Sequence, residues 1–393
     1  MLNTSMLATA IEIAGFSVSS CALVMGLTQR RLSRAYVMLS VLFFALMLSK
    51  ASDAAILMFD NPAQMFTDGL WMLSFTASFF IPPALLIYVR CLTGAALCHS
   101  RTEMAAHLAL PLAAMLTAFV FLTLPDDARA FVSTGEATVT GMDQAAIAIF
   151  AILILVFAFY IQCLAYMFLT CSTQMTRRRL LKDIFASTER YEVRWITWIA
   201  VLLGVFGGLN LIAYVSSLFG AKTWLPMAVN GVLELLIVLT LAIWGLRQSP
   251  GMTGKSEFER SVKQHTKYER SALDTERAAR ISRKLQGAMT ADQVFRDPNL
   301  SLISLSQHIG VSTNYVSQTL NEHLGLSFFD FVNRWRVEAA KPMIMEGRQQ
   351  IAMIAYEVGF NSRSSFYTAF KKNTGVTPSV YATTDQRSAS VTP

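Results

Sequence analysis

The chain has 393 residues, 53% hydrophobic and only 15% charged, with a formal net charge of +7 and a mean hydropathy of +0.43. Soluble domains carry about 25% charged residues, so an ordinary globular protein is excluded for most of this length. Residues 1–247 hold 15 Lys/Arg against 13 Asp/Glu; residues 248–393 hold 18 against 13, a soluble composition with net charge +5 and a bias toward polyanionic partners.

In chain order, seven apolar runs reach the ~17–25 residues that cross a bilayer. They lie near residues 6–27, 36–59, 69–92, 104–124, 144–171, 195–219 and 225–247. No Lys or Arg precedes the first, so it does not read as a secretory signal. The loops after the first, third and fifth runs carry Arg30, Arg31 and Arg34; Arg90 and Arg101; and Arg177, Arg178, Arg179, Lys182 and Arg190. The alternate loops hold Asp60 and Asp68; then Asp126, Asp127, Glu136 and Arg129; then Lys222. The positive-inside rule then places the N-terminus outside and the C-terminus in the cytoplasm, as an odd number of spans requires. Arg177–Arg179 also suits anionic lipid head groups. Trp71 and Trp224 fall near outer ends, and Trp195, Trp198 and Trp244 near inner ends. Pro82-Pro83 predicts a kink in the third run.

Six polar residues interrupt the apolar runs: Glu12, Lys50, Asp53, Asn210, Asn230 and Glu234. Such groups are costly in hydrocarbon and face a bundle interior. At ~1.5 Å per residue they all lie roughly 8–14 Å from the outer ends. Lys50 and Asp53, three apart, are positioned to pair. Two readings stand: a ligand pocket for a small-molecule or membrane effector, or an interhelical clamp.

Other chemistry is sparse. The last run contains no Lys for a retinal Schiff base. The two halves show no matching broken helices of a transporter. Neither a Ser-His-Asp spacing nor HExxH nor a phosphate loop occurs, so no enzyme is expected. The five Cys (Cys21, Cys91, Cys98, Cys163, Cys171) have no metal-ligand spacing and read as small core residues. No metal and no cofactor is implied.

After the last run, QSPGMTGKS reads as a flexible exit. Phe258, Val262, His265 and Tyr268 then recur at helical spacing. Asp274 is placed to cap a helix with the stripe Ala278, Ile281, Leu285 and Met289, which packs either on a second subunit or, as slightly favoured, on the domain that follows.

That domain contains an internal repeat. Leu305/Ile354, Ile309/Val358 and Gly310/Gly359 match at an offset of 49; Val316/Phe366, Leu320/Phe370 and Gly325/Gly375 match at 50. Each unit reads as helix, Gly turn, capping Ser (Ser312, Ser362) and second helix, which is a helix-turn-helix found twice. Between them, FFDFVNRWRVEAAKPMIMEG predicts a linker helix about 28 Å long, close to the ~34 Å of one DNA turn. Pro342 lies inside it and predicts a kink.

Residues ~295–382 resemble the DNA-binding domain of AraC/XylS-type transcription regulators. The segment IAYEVGFNSRSSFYTAFKKNTGVTPSVY carries most of the resemblance, which covers about a quarter of the chain. It implies base contacts by Asn314, Ser317 and Gln318 in the first reader and by Arg363, Ser364, Tyr367 and Thr368 in the second. Arg suits guanine, Asn and Gln suit adenine, and Thr or Tyr packs on a thymine methyl. Arg334, Arg336, Lys371, Lys372 and the helix N-termini at Ser312 and Ser362 are the expected phosphate contacts. Val316, Leu320, Phe328, Phe331, Ile354, Phe366 and Phe370 are assigned to core.

The expected whole is all-α: a seven-span sensor (1–247), a connector (248–291), a DNA-binding domain (292–384) and a disordered tail (385–393). The expected function is a one-component regulator in the bacterial inner membrane. Its expected partners are double-stranded promoter DNA, membrane lipid, an effector, RNA polymerase and a second copy in a homodimer. The alternative is a transporter or channel with a DNA-binding regulatory tail.

Overall fold

The computed structural model describes residues 4–30, 33–58, 63–93, 100–134, 142–187, 194–219, 227–247 and 274–389. Arg31, Asp60, Cys98, Glu136, Arg190, Lys222, Trp224 and the predicted connector helix at Phe258–Tyr268 lie outside them. The protein is all-α; β pairing among the described residues is confined to an isolated antiparallel bridge between Phe185 and Ser301. The chain divides into two compact units, residues 1–173 with 193–251, and residues 174–192 with 252–393.

The first unit is built from α1 (Thr4–Gln29), α2 (Arg34–Ser49), α3 (Ala51–Met58), α4 (Gln64–Ser78), α5 (Ile81–Thr93), α6 (Arg101–Leu122), α7 (Asp126–Thr134), most of α8 (Met142–Ile184), α9 (Arg194–Leu218) and α10 (Met227–Arg247). Its main core joins Leu39, Leu42 and Phe43 of α2 to Tyr88 and Val89 of α5 and Val238 and Leu241 of α10. Outward faces are apolar: Ile147, Phe150, Phe168 and Trp198 are each at least 66% exposed. Such a surface is costly in water and suits lipid. Cys21, expected in the core, is exposed.

Among the described residues, five helices are long and apolar enough to cross a membrane, α1, α6, α8, α9 and α10; α4 with α5 makes a sixth if a 40° bend is allowed. That bend lies at Phe79–Phe80, just before the two prolines. Pro82 and Pro83 occupy the first turn of α5, where a missing N–H costs nothing. The predicted span at 36–59 is broken into α2 and α3, with Lys50 as the C-cap of α2. Seven spans therefore require counting α2 and α3 together. The segment after the fifth run is helical rather than a loop: α8 continues to Ile184. Its 43 residues rise about 64 Å, twice the hydrocarbon thickness of ~30 Å.

The second unit comprises the end of α8 with α11 (Thr275–Thr290), a 3-10 turn (Val294–Arg296), α12 (Leu302–His308), α13 (Thr313–Gln318) running into a π turn (Thr319–His323), α14 (Phe328–Glu346), α15 (Ile351–Glu357), α16 (Arg363–Thr374) and α17 (Pro378–Ala389). The tail expected to be disordered from 385 is thus helical to Ala389. The α11 stripe packs within the unit: Ile281, Leu285 and Met289 share a core with Leu305, Val316 and Phe331. Asp274 stands at the N-cap without a capping hydrogen bond. Helix α14 is the spine, placing Phe328, Phe331 and Val332 in the first core and Val337, Ala340 and Ile344 in the second. It runs through Pro342 to Glu346, and Pro342 itself faces solvent.

Candidate nucleic-acid interface and a polar cluster

The two helix-turn-helix units, α12–α13 and α15–α16, turn at Gly310 (φ +65°) and Gly359 (φ +97°). Gly359 has a second constraint: a Cβ there would lie 2.6 Å from the carbonyl oxygen of Phe295. The close approach belongs to a joint between the units. Arg336 of α14, 0% exposed, donates Nε to Phe295 O at 2.7 Å and Nη2 to Asp297 O at 2.8 Å. Asn361 donates Nδ2 to Pro298 O at 3.0 Å. These carbonyls belong to the segment Phe295–Leu300, a strap that also accepts from Ala186 N at Leu300 O, 3.1 Å, while Arg336 Nη1 reaches the Ser187 hydroxyl at 3.2 Å. Arg336 was expected on a phosphate. Its burial and this set of carbonyl partners make it a structural clamp instead.

The second reader presents its residues outward. Arg363, Ser364 and Thr368 are exposed on α16, and Tyr367 is half-buried. The Arg363 guanidinium lies 5.0 Å from the Tyr367 ring centroid and donates to its hydroxyl at 3.2 Å. A hydrogen bond with Ser379, helped by Arg363, holds the Tyr367 phenol below its ordinary value near 10. Ser362 caps α16 by accepting from Ser365 N. Lys371 is exposed, and Lys372 donates to Asp330 at 2.6 Å while remaining largely exposed. Arg334 is exposed on α14.

The first reader differs. Helix α13 is six residues long before the π turn. Asn314 and Gln318 are half-buried, whereas Ser317 is only 6% exposed. That burial removes Ser317 from the expected base contacts, because a reading side chain must reach the groove. Ser312 sits at the N-cap position without a side-chain cap bond. The sequence reading missed the exposed face of α11, where Arg277, Arg280, Arg283 and Lys284 recur at helical spacing; attention to its apolar stripe hid them.

In the first unit, five of the six polar residues form two bonded groups. Lys50 Nζ donates to Glu12 and to Glu234, the latter at 2.7 Å, so its ion pairs are with α1 and α10 rather than with Asp53. Asn210 Nδ2 donates to Asn230 Oδ1 at 3.1 Å, joining α9 to α10. Glu234 also lines a cavity of about 100 Å³ whose other walls include Leu46, Phe159, Tyr160, Met167 and Phe206. Two further charges counted as loop residues are buried together: Arg129 Nε donates to Asp68 at 3.0 Å.

Residues 305–384 match the helix-turn-helix domain family. An uncharacterised HTH-type transcriptional regulator of Staphylococcus aureus strain COL is 39% identical over 83 residues, 21% of this chain and 11% of that protein. The arabinose operon regulatory protein of Escherichia coli K12 is 32% identical over 85 residues, 22% of this chain and 29% of that protein. The chain thus spans less than a third of either relative's length. A solved structure, the C-terminal domain of AraT, a response regulator from Geobacillus stearothermophilus, is 32% identical and 88% covered, with a TM-score of 0.24. The second unit of this chain carries a helix-turn-helix domain of the DNA-binding class. Its likeness to the arabinose regulator agrees with the AraC-type resemblance of the sequence.

Proposed function

We propose that the chain is a membrane-embedded one-component transcription regulator. It senses a small or membrane-borne signal in its apolar helices and binds double-stranded promoter DNA through its two helix-turn-helix units. The observation that carries this reading is the outward row Arg363, Ser364 and Thr368 on α16, covalently joined to helices whose outer faces are apolar. Within that reading, Asn314 and Gln318 contact bases alongside Arg363, Ser364, Tyr367 and Thr368. Arg334, Lys371, Lys372 and the N-termini of α13 and α16 hold phosphates.

The sensor is the Lys50 cluster with its adjoining cavity. A signal that favours one arrangement of the bundle shifts the DNA-binding unit in turn. Two routes lead there: the connector after α10, and α8, which is one continuous helix from Met142 to Ile184 and ends on the strap held by Arg336. The orientation is N-terminus outside, with the second unit in the cytoplasm of a bacterial inner membrane.

The test is a promoter reporter with Glu12→Ala and Glu234→Ala in stably inserted protein. Altered regulation is expected; wild-type regulation by both variants removes the sensing role from this cluster.

A further inference from the structure

The first reader contains no Lys or Arg from Ser312 to Leu324, yet a reader held on DNA needs cations on the flanking phosphates. We infer that α11 supplies them: its exposed face is a phosphate-backbone clamp for the first helix-turn-helix. The inference rests on the DNA-binding reading above.

Helix α11 is amphipathic in a particular way. Ala278, Ile281, Ser282, Leu285, Ala288 and Met289 are buried, while Arg277, Arg280, Arg283 and Lys284 are exposed. At about 100° per residue the four cations occupy one arc, away from the packed stripe. Glu276, exposed and four residues before Arg280, falls within the same arc, which keeps a net positive charge with four cations against this one carboxylate.

Two contacts fix this arc beside the reader rather than on a remote surface. The Arg277 guanidinium lies 3.9 Å from the ring centroid of Tyr315, in the first turn of α13. Lys284 Nζ donates to Ile309 O at 3.1 Å, at the turn between α12 and α13. The two ends of the cationic arc therefore bracket the helix-turn-helix, with Arg280 and Arg283 between them along α11. Neither Arg280 nor Arg283 forms an ion pair with a described residue. Arg277 and Lys284 anchor the arc to the reader, and Arg280 and Arg283 are the cations it offers to phosphates. Guanidinium groups suit that role, since they bond phosphate oxygens bidentately.

The test uses the full chain in lipid nanodiscs and a labelled promoter fragment recovered from the genome-bound pool. Affinity is measured by anisotropy across a salt series. Each phosphate contact adds about 0.9 to the slope of log K against log salt, so Arg280→Gln with Arg283→Gln should reduce the slope by about 1.8. The affinity loss should be equal for matched and mismatched operators, and Arg280→Lys with Arg283→Lys should restore the slope. Wild-type binding with an unchanged slope in the Gln double variant overturns the clamp. A loss that depends on operator sequence also overturns it, because it marks base contacts. No binding by the wild-type chain overturns the DNA-binding reading itself, and the clamp with it.

Discussion

The two helix-turn-helix units descend from one pattern but are finished differently. Both share α14 as a wall and both turn at a left-handed glycine. The second reader is twelve residues of α-helix with Arg363 at its start and Lys371 and Lys372 in its last turn. The first is six residues that pass into a π turn, with Ser317 buried and no Lys or Arg of its own. The π turn is visible in the bonds: Leu324 N donates to Thr319 O and the Thr319 hydroxyl back-bonds to Tyr315 O. The difference teaches that a repeated scaffold need not repeat its charge. The second unit carries its cations on the reader, whereas around the first unit they stand on a neighbouring helix.

The largest effect should come from the joint that holds the two units together. Arg336→Ala leaves the buried carbonyl of Phe295 without its donor and removes the bond to Asp297 O, and should cost more than ~3 kcal/mol, read as a lower unfolding midpoint of the second compact unit. The matched glycines sharpen the contrast. Gly310→Ala meets open space and only backbone strain, costing about 1–2 kcal/mol. Gly359→Ala adds a collision with Phe295 O and should cost clearly more; equal costs would show that the joint yields. Next in size, Arg363→Ala should lose ~1–3 kcal/mol of operator affinity and relax preference at one base pair. Smallest of all, Ser317→Ala should leave sequence preference unchanged, within ~0.5 kcal/mol. A changed preference there would return Ser317 to the reading surface.

The sequence made the all-α class and the repeat legible because both rest on local signals: apolar run length, glycine spacing and capping serines. The α11 stripe was legible for the same reason. Arg336 was not. A basic residue on a linker helix between two readers looks like a phosphate contact until its carbonyl partners, at Phe295 and Asp297, are brought to it by the fold. The break at Lys50 was hidden similarly. Hydropathy reads 36–59 as one run, while the Lys50 backbone N–H caps α2 and its ammonium reaches Glu12 and Glu234 on other helices. Long-range polar pairing, including Asp68 with Arg129, leaves no periodic trace in sequence.

The central claim is that one chain joins a sequence-specific DNA reader to an apolar helix bundle. Genome-wide mapping of DNA bound by the intact, membrane-fractionated chain tests it most directly, with Arg363→Ala run beside it. The account predicts discrete promoter sites for the wild-type chain, depleted in the variant while the protein stays in the membrane fraction. Binding scattered without sites, or sites unchanged by Arg363→Ala together with Thr368→Ala, would contradict it.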